Sequence, residues 1–505
     1  MAGRAGAALA AALILMLTAL PLLAVALRAE GLGGGWRAAD LAALRFTLWQ
    51  AALSALVSAA LAVPLARALS RRAFPGRSVV VALMTAPFLL PVIVAVLGLI
   101  AVFGRSGAVN AALGTLGLPP VPVYGAHGVV LAHVFFNLPL ATRILLAGWD
   151  AVPAERFRLA ASLGAGTFRT IEGPMLRALL PGTVAVIFVI CLTSFAVALT
   201  LGGGPRATTV ELAIYEAVLF EFDLGRAARL ALVQAALGLA AVGIGLLLPA
   251  PRMSGGLGRA RRRWEARGWQ RAGDAALIGL AVLFVGGPMA AVVLRGASEV
   301  LGLGPSVWQA ALTSCAVAAA SGALCILVGL AIAVGGTRLE EGIGTSAIAI
   351  SPLAIGVGLF LILRPHMSPS DVALPVTAAV NAVMALPFAL RFLVPAARRV
   401  AATQGRLADS LGMTGWARLR LVTLPGMRRE IGTALGIAVA LSMGDLGVIA
   451  FFADADGATL PLQMYRLMGA YRMDAAMGAA VLLLALSFGA FRLCDRWGRA
   501  GAGRA

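Results

Sequence analysis

Long unbroken apolar runs alternate along this chain with short polar segments, and inside the runs polar positions do not recur every second residue. Runs of about 20 residues are long enough to cross roughly 30 Å of hydrocarbon as helices. Backbone in lipid must bond to itself, which leaves helices or closed barrels, and continuous apolarity favours helices. Twelve spans are predicted. In the first half they lie at about 7–28, 43–66, 78–103, 124–148, 179–202 and 227–249, and in the second at about 275–295, 307–334, 344–364, 372–396, 431–452 and 474–493. The first run, Ala7 to Leu27, has about span length, lacks a convincing cleavage site and is followed by further spans. It therefore reads as a transmembrane helix rather than a signal peptide.

Composition narrows the class. Of 505 residues, 60% are hydrophobic and 12% charged, with a mean hydropathy of +0.94. A soluble domain is nearer a quarter charged, so too little polar surface remains to cover a soluble globule. The net charge of +19 would suggest nucleic acid in a soluble protein, but here the arginines cluster between apolar runs and report membrane orientation instead. No lysine occurs anywhere in the chain. A phosphate-binding P-loop needs one, so any ATPase that drives this protein is a separate polypeptide. Cys191, Cys315, Cys325 and Cys494 lie in or beside apolar runs at no metal-ligand spacing, and no triad, metal cluster or carboxylate pair argues for catalysis.

The basic segments fall on one side of the membrane if both termini are inside. They are the loop with Arg67, Arg71, Arg72 and Arg77, the central linker, the segment from Arg398 to Arg429, and the tail with Arg492, Arg496, Arg499 and Arg504. The linker carries Arg252, Arg259, Arg261, Arg262, Arg263, Arg267 and Arg271 against Glu265. The loop after the fifth span is acidic, with Glu211, Glu216, Glu221 and Asp223; Arg28 and Arg37 fit the rule least. The domains are a first half at 1–250, a basic linker at 251–273 and a second half at 274–505.

The halves repeat. "NLPLATRILL" (137–146) matches "ALPFALRFLV" (385–394), and the same spacing sets Arg158 on Arg406, Ala160 on Ala408, Ser162 on Ser410 and Gly164 on Gly412. Each half has six spans and enters the membrane the same way. The expected fold is an all-α polytopic membrane protein of 12 transmembrane helices in two parallel six-helix repeats, with a pathway between them. Two polar segments follow the fourth span of each half, at about 150–178 and 398–430. A solvated connector is the bland reading, but two copies at matched places point to a shared docking role. Gly412 permits a sharp bend and Pro425 a clean helix start.

These segments resemble the EAA loops of ABC-transporter permeases, on Ala408, Gly412, Val422, Leu424 and Pro425 in the second copy and Ala160, Gly164 and Pro174 in the first. Such loops supply a coupling helix to the ATP-hydrolysing subunit. The first copy is three residues shorter between its Gly and its Pro, and both copies carry Arg (Arg158, Arg406) where the family pattern has Glu. Longer stretches, including 47–77, 131–146, 193–218, "LSMGDLGVIAFF" (441–452) and "TLPLQMYRLMGAYR" (459–472), resemble the fused permease for thiamine and its phosphates. The resemblance implies a type I ABC importer permease, multi-pass in the bacterial inner membrane with both termini cytoplasmic. It also implies a periplasmic thiamine-binding protein and a cytoplasmic ABC ATPase dimer that holds ATP and Mg. This chain is then expected to carry no cofactor, to be no enzyme by itself, and to contact lipid but not nucleic acid. The ferric-iron ABC importer permease shares the twelve-span plan and stays open. A secondary carrier is disfavoured, because it would need coupling carboxylates in several spans.

Thiamine bears a fixed cation. Asp445 is the acid found deep within a predicted span, with Ser442 nearby, and a structural Asp bonded to neighbouring groups is the alternative. The matching place in the first half holds Thr193, Ser194 and Phe195, a hydroxyl and aromatic face suited to an aromatic cation. "VELAIYEAV" and "TLPLQMYRLMG" are expected to form paired helices that set Tyr215 opposite Tyr465, with Thr208, Thr209 and Thr459 at the mouth. Whether thiamine or a phosphate ester is moved stays open.

Overall fold

Every regular element among the described residues is helical, as continuous apolar runs require. The computed structural model describes residues 2–29, 35–85, 87, 90–247, 268–453 and 457–500. Most of the central linker therefore lies outside the described residues. The first half comprises α1 (Ala2–Arg28), α2 (Ala38–Arg71), α3 (Arg77–Leu83), α4 (Val92–Phe103), α5 (Ala108–Thr115), α6 (Ala126–Ala151), α7 (Ala154–Ser162), α8 (Gly173–Leu192), α9 (Ala196–Leu201), α10 (Val210–Leu219) and α11 (Leu224–Leu247). The second comprises α12 (Gly268–Gly296), α13 (Pro305–Gly335), α14 (Arg338–Ser346), α15 (Pro352–Leu363), α16 (Pro369–Ser410), α17 (Gly415–Arg418), α18 (Leu424–Gly426), α19 (Arg428–Met443), α20 (Ile449–Phe452), α21 (Leu460–Gly469) and α22 (Met473–Arg499).

Ten helices among the described residues are long and apolar enough to cross a membrane, and eleven if one bent pair counts as a span. Two of the twelve predicted spans account for the difference, and a third, 78–103, is displaced: its first part is the separate α3, and the candidate span runs Val92–Thr115. The run at 344–364 bends by 96° between α14 and α15, where Ser351 caps the start of α15 and Pro352 opens it. The run at 431–452 stops after the 16 residues of α19, because Gly444, Asp445 and Gly447 interrupt it. Glycine and aspartate are poor helix formers, so apolarity continues there while the helix does not.

Each half packs its long helices on one another, α2 on α6 and α8, and α13 on α16 and α19. The leading helix of each half crosses to the other half. Helix α1 packs on α13 and α15, and α12 packs on α2 and α4. Both crossings bring backbone against backbone at a proline in the leading helix. A Cβ at Gly98 on α4 would overlap the Pro288 carbonyl of α12, and a Cβ at Gly358 on α15 would overlap the Pro21 carbonyl of α1. Only glycine fits at these two contacts.

Ion pairs fix both ends of the bundle. At one end, Asp274 of α12 is buried and takes Arg71 and Arg72 from the end of α2, the latter at 2.6 Å. At the other, Arg226 pairs with buried Asp40 at 2.7 Å and with Glu221 at 2.6 Å. Arg37 meets Glu221 at 2.6 Å and Asp223 at 3.0 Å. Arg226, with Arg37, holds the Glu221 carboxyl below its usual range. Arg37 fits the basic-loop rule poorly because two carboxylates on its own face neutralise it.

Gly98→Ala and Gly358→Ala are each expected to destabilise the protein by about 1–3 kcal/mol, the usual cost of overpacking. Gly279→Ala on α12, where nothing lies within 4 Å, is the neutral control. Thermal midpoints in detergent measure the effect, and midpoints that match the control would show that the crossings tolerate a side chain.

Candidate functional site

Four of the candidate pathway residues, Thr193, Ser194, Phe195 and Asp445, fall where helices break. Helix α8 ends at Leu192, Thr193 to Phe195 are unwound, and α9 resumes; α19 ends at Met443 and α20 resumes at Ile449. Asp445, expected within a continuous span, lies in the second break. Its Oδ1 accepts the Gly447 N–H at 3.1 Å, a local bond in place of a helical one. Its Oδ2 is buried without a hydrogen-bond partner. Asn381 stands beside this carboxyl and donates to the Ser442 hydroxyl at 3.1 Å. The two halves meet here. A Cβ at Gly444 would lie 3.0 Å from Pro91 Cα, and one at Gly447 2.8 Å from Leu353 and 3.9 Å from Phe195.

An aromatic column leads away from this junction. Phe195 lies 5.2 Å from Tyr215, and Tyr215 lies 5.8 Å from Phe451, centroid to centroid. Tyr215 and Phe451 then line a cavity of about 380 Å³ with Tyr465, Phe360, Phe452, Ser368, Ser370 and Arg466. Both halves contribute to this wall, and Tyr215 and Tyr465 share it. Thr193 and Ser194 do not line it, and the Thr193 hydroxyl bonds back to the Val189 carbonyl at 3.3 Å.

The tyrosines are held by matched caps. The first N–H of α10, at Val210, bonds Thr47 of α2 at 2.9 Å, and that of α21, at Leu460, bonds Ser314 of α13 at 2.7 Å. Thr209 and Thr459 precede these helices and are buried; Thr209 Oγ1 accepts the Leu212 N–H at 3.3 Å, whereas Thr459 Oγ1 has no hydrogen-bond partner. Both were expected at the mouth; at Thr209 the orphan N–H groups of the helix start draw the hydroxyl inward.

Two functional candidates escape a reading of the sequence. Arg466 enters the cavity on α21 although it reads as one more basic residue near a loop. Glu211 was grouped with the acidic loop, yet it is fully buried, more so than Asp445. The signal was its setting, one carboxylate inside the apolar "TVELAIY".

The two polar segments share one backbone device. Gly164 and Gly412 have φ of +62° and +65°. The N–H of Ala165 bonds the Ala160 carbonyl at 2.8 Å, and that of Met413 bonds the Ala408 carbonyl at 2.9 Å. These are Schellman helix ends, which explains the Ala-x-x-x-Gly spacing: the alanine supplies the accepting carbonyl and the glycine the left-handed turn. A five-residue π-type turn follows in each, Phe168–Glu172 and Leu419–Thr423, and Pro174 and Pro425 sit at the start of the next helix. The three residues absent from the first copy shorten the four-residue α17 to the single Thr167.

The segments differ before the glycine. The first forms a separate helix, α7, whereas the second is the end of the 42-residue α16. Pro153 breaks the first, and Ala401 stands at the matching place in the second. The first is anchored instead by buried Glu172, which takes Arg67 at 2.8 Å and the Trp149 indole N–H at 3.3 Å. Both expose apolar side chains at matched positions, Leu159 and Leu163 beside Leu407 and Leu411, with Trp416 added in the second.

No family profile matches the chain. Curated relatives do. The chain is 40% identical over 515 residues to the thiamine transport system permease protein of Brucella abortus, with 97% of this chain and 94% of the relative covered. It is 39% identical over 480 residues to the protein of that name in Escherichia coli, covering 90% and 88%. The molybdenum transport system permease protein of Azotobacter vinelandii is 32% identical over 187 residues, covering 35% of this chain and 81% of that one.

Because nothing lies within 4 Å of a Cβ at Gly412, its φ alone demands glycine. Gly412→Ala should cost roughly 1–2 kcal/mol locally, so the Met413 amide should exchange hydrogen about five- to thirtyfold faster. Gly412→Asn should retain part of the protection. Unchanged exchange in the alanine variant would disprove the assigned helix end.

Proposed function

The chain belongs to the family of thiamine transport system permease proteins, and on that footing we propose that it is the membrane subunit of an ATP-driven importer of thiamine and its phosphates in the bacterial inner membrane. The observation that carries the transport reading is the cavity and aromatic column built from both halves and ending at Asp445. The halves are read as two parallel six-helix repeats with a pseudo-twofold axis along the membrane normal, which the reciprocal crossings of α1 and α12 support. Four predicted spans then contain a break in their helix. Irregular backbone at membrane depth is tolerated where protein covers it or a pathway runs past it, and transporters place ligand sites at such breaks.

A thiazolium ring would pass from the cavity along Phe451, Tyr215 and Phe195, whose π faces attract a cation. The half-satisfied Asp445 carboxylate would receive its charge. Ser442 acts through Asn381, and Thr193 and Ser194 provide the unwound backbone opposite. Arg466, Ser368 and Ser370 on the same cavity suit the phosphate arm of an ester, so the phosphorylated forms belong among the substrates.

The two polar segments are proposed to lie on the cytoplasmic face and to dock the ATPase dimer through Leu159, Leu163, Leu407, Leu411 and Trp416. Ala160, Gly164 and Pro174, like Ala408, Gly412, Leu424 and Pro425, set the shape of those surfaces. The opposite face, with α10 and α21, would receive the thiamine-loaded periplasmic binding protein. Reconstitution with partner proteins tests the whole reading. A thiamine-loaded binding protein should stimulate ATP hydrolysis and an iron-loaded one should not; the reverse result would favour the ferric-iron permease.

The second segment, with the longer spacing and the added Trp416, is expected to carry more of the docking. Gly412→Pro should uncouple hydrolysis from uptake in protein that still reaches the membrane. If Gly164→Pro were the more damaging change, that asymmetry would be reversed.

Asp445→Asn keeps size and removes charge. Attraction between unit charges at 4 Å is about 4 kcal/mol at an effective dielectric of 20, so a fraction of it lost should lower thiamine uptake tenfold or more. Assembly with the ATPase should be unaffected. Normal uptake by the variant would leave Asp445 a structural role alone.

A further inference from the structure

Helix α8 ends on carbonyls that have lost their intrahelical partners. The chain unwinds at Thr193–Phe195, so the N–H groups of Ser194, Phe195 and Ala196 do not return to Ile190, Cys191 and Leu192. Side chains supply the missing donors. The Thr193 hydroxyl lies 3.5 Å from the Ile190 carbonyl. Gln50 of α2 donates its amide to the Cys191 carbonyl at 3.0 Å, and Gln234 of α11 donates to the Leu192 carbonyl at 2.9 Å. These bonds orient both amides, since a flipped amide would set two oxygens together.

Helix α19 ends differently. Its Leu441 and Ser442 carbonyls receive the N–H groups of Gly444 at 3.2 Å and Asp445 at 3.3 Å, so the second break closes on its own backbone. The places that match the two glutamines are apolar there. Thr47 and Ser314 bond the first N–H of α10 and α21, and three residues further on stand Gln50 and Val317. Phe222 and Tyr471 turn the chain before α11 and α22 at φ of +54° and +58°, and twelve residues further on stand Gln234 and Leu483. All four side chains are buried. A valine and a leucine therefore meet the packing at these places. Each glutamine, by contrast, leaves its Oε1 buried without a hydrogen-bond partner, a cost that only its donor can offset.

We propose that Gln50 and Gln234 are positioning residues of the pathway, which hold Phe195 in place by tying the end of α8 to α2 and α11. Peptide units are planar, so fixing two successive carbonyls fixes the direction in which the chain leaves the helix. Phe195 follows three residues after the second of them. Its ring then meets Tyr215 at 5.2 Å and lies beside Gly447 of the other half. The second break needs no such tie, because Asp445 is held by the turn it caps. The inference rests on the reading of Phe195 as part of the thiamine path.

Gln50→Met and Gln234→Met keep the length of the side chain and remove the donor. Fluorine NMR of the full chain in nanodiscs, with para-fluorophenylalanine at Phe195, reads the ring directly. The wild type should give one resonance, and each methionine variant should broaden or split it. Thiamine uptake by the assembled importer should fall about threefold or more in each variant, the effect of losing one hydrogen bond of ordinary net strength. In a Phe195→Ala background the same changes should alter uptake by less than about twofold, because no ring is left to position. An unchanged fluorine spectrum, or equal losses of uptake with and without Phe195, would overturn the assignment. So would several resonances in the wild type, a result that needs no variant to fold. Normal uptake by Phe195→Ala alone would sink the pathway reading, and the fluorine spectra would still decide whether the glutamines hold the ring.

Discussion

Backbone that leaves its helix inside a membrane must be covered by protein, and this constraint organises the molecule. Four places depart from continuous helix at depth: the stretch before α4, the bend before α15, and the breaks at Thr193–Phe195 and Gly444–Val448. Their N–H and C=O groups could not face lipid. All four turn toward the junction of the halves. Pro91 lies against Gly444, Leu353 against Gly447, and Phe195 close to the same glycine. The leading helices α1 and α12 then close over α15 and α4 from the opposite half, at contacts so tight that Gly98 and Gly358 leave no room for a side chain.

Polar residues at such breaks can exist only because of that cover. Asp445 keeps one oxygen bonded to its own turn and the other unpaired. A carboxylate so placed in hydrocarbon would be prohibitive, but here Asn381 and the other half's backbone stand against it. The tyrosines follow from the same geometry. Their short helices cannot reach across the membrane, so each ties its first N–H to a hydroxyl on the second helix of its own half and leans its aromatic face over the shared cavity.

At the other end, the two polar segments show how one local rule tolerates two architectures. The Schellman turn and the π-type turn are conserved between the copies because they depend on a few adjacent residues. The supports behind them differ because those depend on distant ones. Pro153 detaches the first segment, and a pair between Arg67 and buried Glu172 re-anchors it; the second rides on α16 without interruption.

The sequence by itself determined the helical membrane class, the matched placing of the two polar segments, and the two tyrosines, Tyr215 and Tyr465, that share one cavity wall. Each is written in a run length, a spacing or a short motif, which act over adjacent residues. Only the tertiary structure decided where the apolar runs break, since hydropathy measures transfer to lipid and is blind to Gly444 or Ser351-Pro352 turning within protein. It also decided that Arg37 is neutralised, that Thr209 caps a helix and Thr459 is buried rather than at the mouth, and that Arg466 enters the cavity. Glu211 shows the reason most plainly. In the chain it is one acid of a polar loop. Its burial depends on α11 and on α15 of the other half, which only folding packs against α10.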